Sequence, residues 1–201
     1  MGISNLILID LGIVILTIII ITLISDDNNF LFKQEEPIKL DNIPQLDEIL
    51  NSEKLSRKTG SGIELSSLIG VWKFNSVWEQ GTNNENKFAS KMLRLFIAKL
   101  ELKEYQTNDK KHELNIINSI EFGLLSLAFI GYGNLEGKQP ILPFFFDRIE
   151  IKLGKKLLLM RNIKHQPKHK RPFFALVGLW GDGIWLSARG RGGGLALWCK
   201  D

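Results

Sequence analysis

A chain of 201 residues, 44% apolar and 24% charged, has a globular composition and enough length for one domain of ordinary size with an appendage. Its single cysteine, Cys199, excludes an intramolecular disulfide and any multi-cysteine metal site. The net charge of +4 is unevenly spread: residues 1–56 carry nine acids against three lysines, or −6, which leaves +10 for the remainder.

Leu6 to Ile24 is almost wholly apolar, interrupted only by Asp10, Gly12, Thr17 and Thr22. About 20 such residues cross a bilayer as a helix. No Lys or Arg precedes the run and no small-x-small pattern follows it, which argues for a retained anchor rather than a cleaved signal peptide. Residues 1–25 are therefore expected to be a transmembrane helix. Residues 26–62 are acidic and polar, punctuated by Pro37, Pro44 and Thr59-Gly60-Ser61-Gly62, the composition of a tether. Within it, Pro44 to Ser52 is expected to form a short amphipathic helix with Leu46, Ile49 and Leu50 on one side, plugging or docking on the domain that follows.

From residue 63 the dominant period is two. Leu68 to Trp78 sets Trp72, Phe74 and Ser76 on one face against Val71, Lys73 and Val77 on the other. Asn83 to Ser90 reads as a loop or short helix, and the second half of Met92 to Tyr105 as a strand. Leu114, Ile116, Asn118, Ile120 and Phe122 share a strand face; after Gly123, Leu125, Leu127, Phe129 and Gly131 share the next. Phe144 to Lys152 and Lys156 to Ile163 are strands joined at Gly154-Lys155, and a basic loop, Lys164 to Pro172, leads into a strand from Phe173 to Trp180. Trp185 to Trp198 is a hairpin whose turn, Gly190 to Gly194, has the glycines that positive φ angles require. About nine short strands with turn signals between them point to an antiparallel barrel or sandwich.

Catalytic patterns are thin. The Gly190-Arg191-Gly192-Gly193-Gly194 run lacks the Lys-[Ser/Thr] of a phosphate loop and precedes a strand. His165 and His169 have helical spacing for a metal, but Pro167 separates them and lysines surround them, the composition of a basic exposed loop. No serine or cysteine has a nucleophile's context, and Asp147 and Glu150 are isolated carboxylates. Neither an enzyme nor a cofactor nor a metal is expected. A single Arg-Gly turn between apolar strands is unlike the long, repeated segments that bind RNA, so no nucleic-acid partner is expected. Ile151 to Gly181 contains no acid, however. Lys152, Lys155, Lys156, Lys164, Lys168, Lys170 and Arg171 are expected to face the headgroups of membrane lipids.

Leu68-Ile69-Gly70-Val71-Trp72-Lys73-Phe74 resembles the first strand of the plastid lipid-associated proteins, the PAP/fibrillin family of plastids and cyanobacteria. Asn118-Ser119-Ile120 with Phe122 is similar to that family's central strand, and Trp185 through Gly193 to its closing strand and Arg-Gly turn. The likeness covers Leu65 to Asp201. The family's acidic residues before the closing Arg-Gly are absent, and the second arginine and triple glycine are additions. The resemblance implies a mainly β fold, an antiparallel lipocalin-like β-barrel of about 8–9 strands over residues 63–201. It also implies a non-catalytic binder of a hydrophobic lipid, carotenoid or isoprenoid quinone at a photosynthetic membrane, thylakoid or plasma membrane. On that reading Trp72, Phe74, Asn118, Ile120, Phe122, Phe129, Phe144 and Phe146 line the interior. Gly70, Trp72, Arg189 and Arg191 form the barrel floor, an arginine lying over the Trp72 ring. The alternative expectation is an assembly protein with a filled barrel and a partner surface of Trp180, Trp185 and Trp198.

Overall fold

The computed structural model describes residues 43–81, 84–105, 113–138, 140–164 and 167–201, all within one compact unit. The apolar run Leu6 to Ile24 lies outside the described residues; among those described, no helix is long and apolar enough to cross a membrane.

The described residues form nine strands, several of them alternating apolar with polar side chains: β1 (Gly70–Trp78), β2 (Lys99–Glu104), β3 (Leu114–Phe122), β4 (Leu125–Gly133), β5 (Ile141–Leu153), β6 (Lys156–Asn162), β7 (Phe173–Trp180), β8 (Trp185–Gly190) and β9 (Leu195–Lys200). They form one antiparallel sheet in the order β4-β3-β2-β1-β9-β8-β7-β5-β6, and β4 also pairs with β5. That second pairing closes the sheet in a ring and leaves β6 attached to β5 alone. The long β5 makes this possible: Ile141 to Pro143 pair with β7, whereas its later residues pair with β4 on one side and β6 on the other.

The inner face carries the main apolar cluster, built around Trp72, Leu102, Ile116, Phe144, Leu186 and Trp198. At the Gly70 end of β1, Ile63 and the one-turn helix α2 (Leu65–Leu68) add Leu68 to it. Helix α1 (Leu46–Thr59) precedes it in sequence, and α3 (Lys87–Leu95) links β1 to β2. α1 opens on a reciprocal cap in which the Gln45 N–H donates to Glu48 Oε2 at 2.9 Å. Asp47 and Glu48 in its first turn and Arg57 and Lys58 in its last match the helix dipole. It runs to Thr59, past the Ser52 expected, and buries Ile49 against Trp78, Val177, Trp185, Leu195 and Leu197. These residues alternate with the inner set, so α1 docks on the outside of the ring and does not plug it. Leu46–Thr59, within the segment that has the composition of a tether, is thus packed onto the sheet.

Simple alternation fails where strands bulge. β1 shifts register between Phe74 and Ser76. Ser76 therefore turns outward with Trp78, which sits in the outer cluster, instead of continuing the Trp72 and Phe74 face. A second shift, between Ile130 and Gly131, drops Asp147 out of the β4–β5 ladder. Gly131 is required there, because a Cβ would overlap the Phe145 carbonyl oxygen.

Trp72 is fully buried, and its indole N–H donates to the Leu68 carbonyl at 2.8 Å. Trp72→Ala removes both the packing and a partner of a buried carbonyl. We expect a loss of about 3–5 kcal/mol, read as a lower urea midpoint by circular dichroism; an unmoved midpoint would contradict this packing.

Candidate functional site

Six aromatic rings form an unbroken chain across the inner face. Phe74 of β1 meets Trp198 of β9 edge-on at 6.3 Å, Trp198 meets Phe174 of β7 at 5.6 Å, and Phe174 meets Phe144 of β5 at 4.9 Å. Phe144 then contacts Phe146 at 5.3 Å, and Phe146 contacts Phe129 of β4 at 5.5 Å. Offset and edge-to-face rings at such distances attract beyond their buried area. Four of the six were anticipated from the sequence. Phe174 and Trp198 were not, although each follows the period of its own strand, Phe174 with Leu176 and Trp198 with Ala196.

Along the ladder the face changes from packed to solvent-accessible. Asn118 stands in register between Leu100 of β2 and Phe129 of β4 and shares the face of buried Leu114 and Ile116. It is nevertheless exposed, while Ile120, Phe122 and Phe129 beside it are half-buried. Water therefore reaches the inner face at this point. A single amide with donors and an acceptor stands there among apolar walls.

The cation beside Trp72 differs from the expectation. Lys200, paired directly with Trp72 across β1 and β9, places its ammonium 5.1 Å from the Trp72 ring centre. Its stem passes Gly70, where a Cβ would approach Lys200 Cε to 2.9 Å and the backbone has φ +141. Gly70 and Trp72 both border the Lys200 side chain, and the cation beside the ring is Lys200 rather than an arginine. Neither arginine lies on that ring, because Arg189 alternates with inward Ala188 and Gly190 and so points outward, and Arg191 lies past the end of β8. Arg191 donates instead to the backbone carbonyls of Arg171 and His169, at 2.8 and 2.9 Å.

Arg189 forms a two-pronged bond with Glu53 of α1, both Nε and Nη2 at 2.6 Å from the carboxylate oxygens, and its Nη1 donates to the Gly193 carbonyl at 2.6 Å. Arg57, one helical turn on, adds a bond to Glu53 at 2.7 Å. The Arg189 guanidinium above all, with Arg57 assisting, holds the Glu53 carboxyl below its ordinary range against the opposing effect of burial. Sequence separation of 136 residues hid this pair. Buried Cys199 has its thiol pushed up by desolvation.

Two clefts flank the ring. One of about 700 Å³ is lined by Lys138, Ile141, His169, Arg171 and Arg191, among others, and a smaller one of about 180 Å³ lies between α1, Trp78 and Arg189. The lining residues of both are outward-facing or in loops. Trp185 and Trp198 are buried and Trp180 packs beneath α1, so they do not form the exposed tryptophan surface expected for a partner.

The basic segment is partly engaged. Lys152 pairs with Glu150 at 2.7 Å, which chiefly keeps the Glu150 carboxyl low, and Arg171 lies 4.7 Å over the Phe145 ring. Lys155, Lys156, Lys164 and Lys170 are exposed. Lys168 begins a 3₁₀ turn, Lys168–Lys170. Of the two histidines in this segment, His165 lies outside the described residues and His169 is exposed. Among the described residues no group of three His, Cys, Asp or Glu is placed to hold a metal.

Compared with known proteins, the chain matches no family model, and neither a curated protein nor a solved structure is significantly similar to it.

A carboxyl whose folded pKa is depressed contributes stability above its unfolded value, and that stability is lost as pH falls through the folded value. We expect the thermal midpoint to drop as pH falls below about 4.5, and to drop less in Glu53→Gln. Glu150, also held low, acts with the same sign, so the profile of the variant is flattened rather than level. Arg189→Ala, which leaves the carboxylate under α1 without its main partner, should cost about 3 kcal/mol; identical pH profiles for wild type and Glu53→Gln would refute the role of the pair.

Proposed function

We propose that the closed sheet is a lipocalin-like β-barrel that binds one hydrophobic molecule, a lipid, carotenoid or isoprenoid quinone, without catalysis at a photosynthetic membrane. The observation that carries this reading is the solvent-reached inner face at Asn118, walled by Ile120, Phe122 and Phe129 and continuous with the aromatic ladder. Apolar walls with a few placed polar groups are the usual anatomy of a small-molecule site, and a ring of about eight strands has room for one such ligand. The Asn118 amide would orient a carbonyl or hydroxyl at one end of the ligand, and the aromatic rings would stack along its chain. The likeness to the PAP/fibrillin family supplies the ligand class and the thylakoid or plasma-membrane setting. The exposed lysines of residues 152–171 would hold the mouth near anionic headgroups, each contributing about 1 kcal/mol.

A second reading, a non-catalytic assembly protein, is favoured by the dense packing from Leu68 through Trp72 to Trp198. Organic extraction of the full chain purified from pigmented photosynthetic cells separates the two. A stoichiometric apolar molecule is expected, and the purified chain should bind a fluorescent polyene fatty acid saturably. Phe129→Arg should weaken that binding by about tenfold or more, the loss of about 1.4 kcal/mol, measured at a temperature where circular dichroism shows the variant folded, since the ring also packs across the β4–β5 seam. An extract without such a molecule, together with no saturable probe binding, would leave the assembly reading.

A further inference from the structure

β6 is unlike every other strand. All seven of its residues are exposed, and Leu157, Leu158, Leu159 and Met160 stand 46%, 51%, 50% and 58% open to solvent. Among the described residues its only strand neighbour is β5, and none of them pairs with its other edge. The register shifts within the β5–β6 hairpin so that Leu158 has no partner opposite it. The adjacent turn extends the apolar surface: Gly154 N–H donates to the Leu124 carbonyl at 2.7 Å, which sets exposed Leu124 beside exposed Leu153. A contiguous apolar projection of this kind marks an interaction surface.

Its rim identifies the occupant. Lys155, Lys156, Arg161 and Lys164 are all exposed, and no acid occurs from Ile151 to Gly181. A second copy paired edge to edge would crowd the cations of both chains along one seam, which like-charge repulsion opposes. A groove on a protein would cover one face, whereas here both faces and the edge are open together. A fluid boundary of acyl chains under anionic headgroups covers all three and pairs with the cationic rim.

We propose that the β5–β6 hairpin tip is a membrane-inserting wedge, in which Leu124, Leu153 and Leu157 to Met160 enter the outer acyl region of an anionic bilayer while the surrounding lysines and Arg161 bind its headgroups. The wedge rests on the membrane-facing part of the proposed function and adds to it the element that penetrates.

A nitrobenzoxadiazole label at Leu158→Cys in the full chain tests the wedge, since native Cys199 is buried and the introduced thiol is exposed. Leu55→Cys, on the exposed side of α1, serves as the control position. With vesicles containing phosphatidylglycerol, the label at 158 should shift to the blue and be quenched by lipids spin-labelled near the headgroup end of their chains, and high salt should reduce both effects. The label at 55 should stay as in water. A label at 158 that remains water-like with anionic vesicles, or responds equally to phosphatidylcholine alone, overturns the proposal. So does a lipid-independent blue shift that grows with protein concentration, which would name a second copy as the occupant. These readings do not depend on the polyene probe, so loss of ligand binding with insertion intact removes the carrier reading alone, and the reverse result removes the wedge alone.

Discussion

The seam between β4 and β5 is the constraint on which the other features depend. It runs from Leu125 opposite Leu153 to Gly133 opposite Phe144 and turns a long meander into a closed surface. The bulge at Asp147 lets β5 bend into that pairing, and Gly131 lets the Phe145 backbone come close enough to complete it. The aromatic ladder crosses this seam between Phe146 and Phe129. If the seam opened, two strand edges would lose their partners and the ladder would face water from the side.

A second closure acts from outside. β7, β8 and β9 carry apolar residues on both faces, because Val177, Trp185, Leu195 and Leu197 alternate with inward Leu176, Leu186, Ala196 and Trp198. The outer face of such a sheet calls for cover, and α1 packs on it. Ile49 supplies the apolar cover, and the Glu53–Arg189 pair fixes the position of the helix along the sheet through two parallel bonds. Burying this pair costs solvation that the bonds from Arg57 and to the Gly193 carbonyl help to offset. Its contribution is orientation of the helix more than net stability.

The strands were legible because period-two alternation and glycine turns act over a few residues. β3, β4, β7 and β9 fall where their side chains predict, and Leu114 and Ile116 of β3 lie in the inner cluster, as their shared period implies. What was not legible arises where a bulge resets the phase or where partners lie far apart in sequence. The outward turn of Ser76 depends on a bulge that no residue type announces. The cation beside Trp72 is Lys200 because β9 pairs with β1 in one register, and an Arg-Gly motif drew attention away from it. Glu53 looked like one of many charges in an acidic stretch, and only docking of α1 reveals its partner.

The ring joins its first strand to its last. β1 pairs with β9 across more than half of the chain, and Glu53 reaches Arg189 over a still longer span. Contacts so distant in sequence form late, after the entropy of closing a long loop has been met. During synthesis on the ribosome, the inner aromatic face therefore stays uncovered along the β1 side until Leu195 to Lys200 has emerged, and α1 has no complete surface to settle on before then. The β1 side of the inner face is thus the last part of the ring to gain its cover, an order set by the direction in which the chain is made.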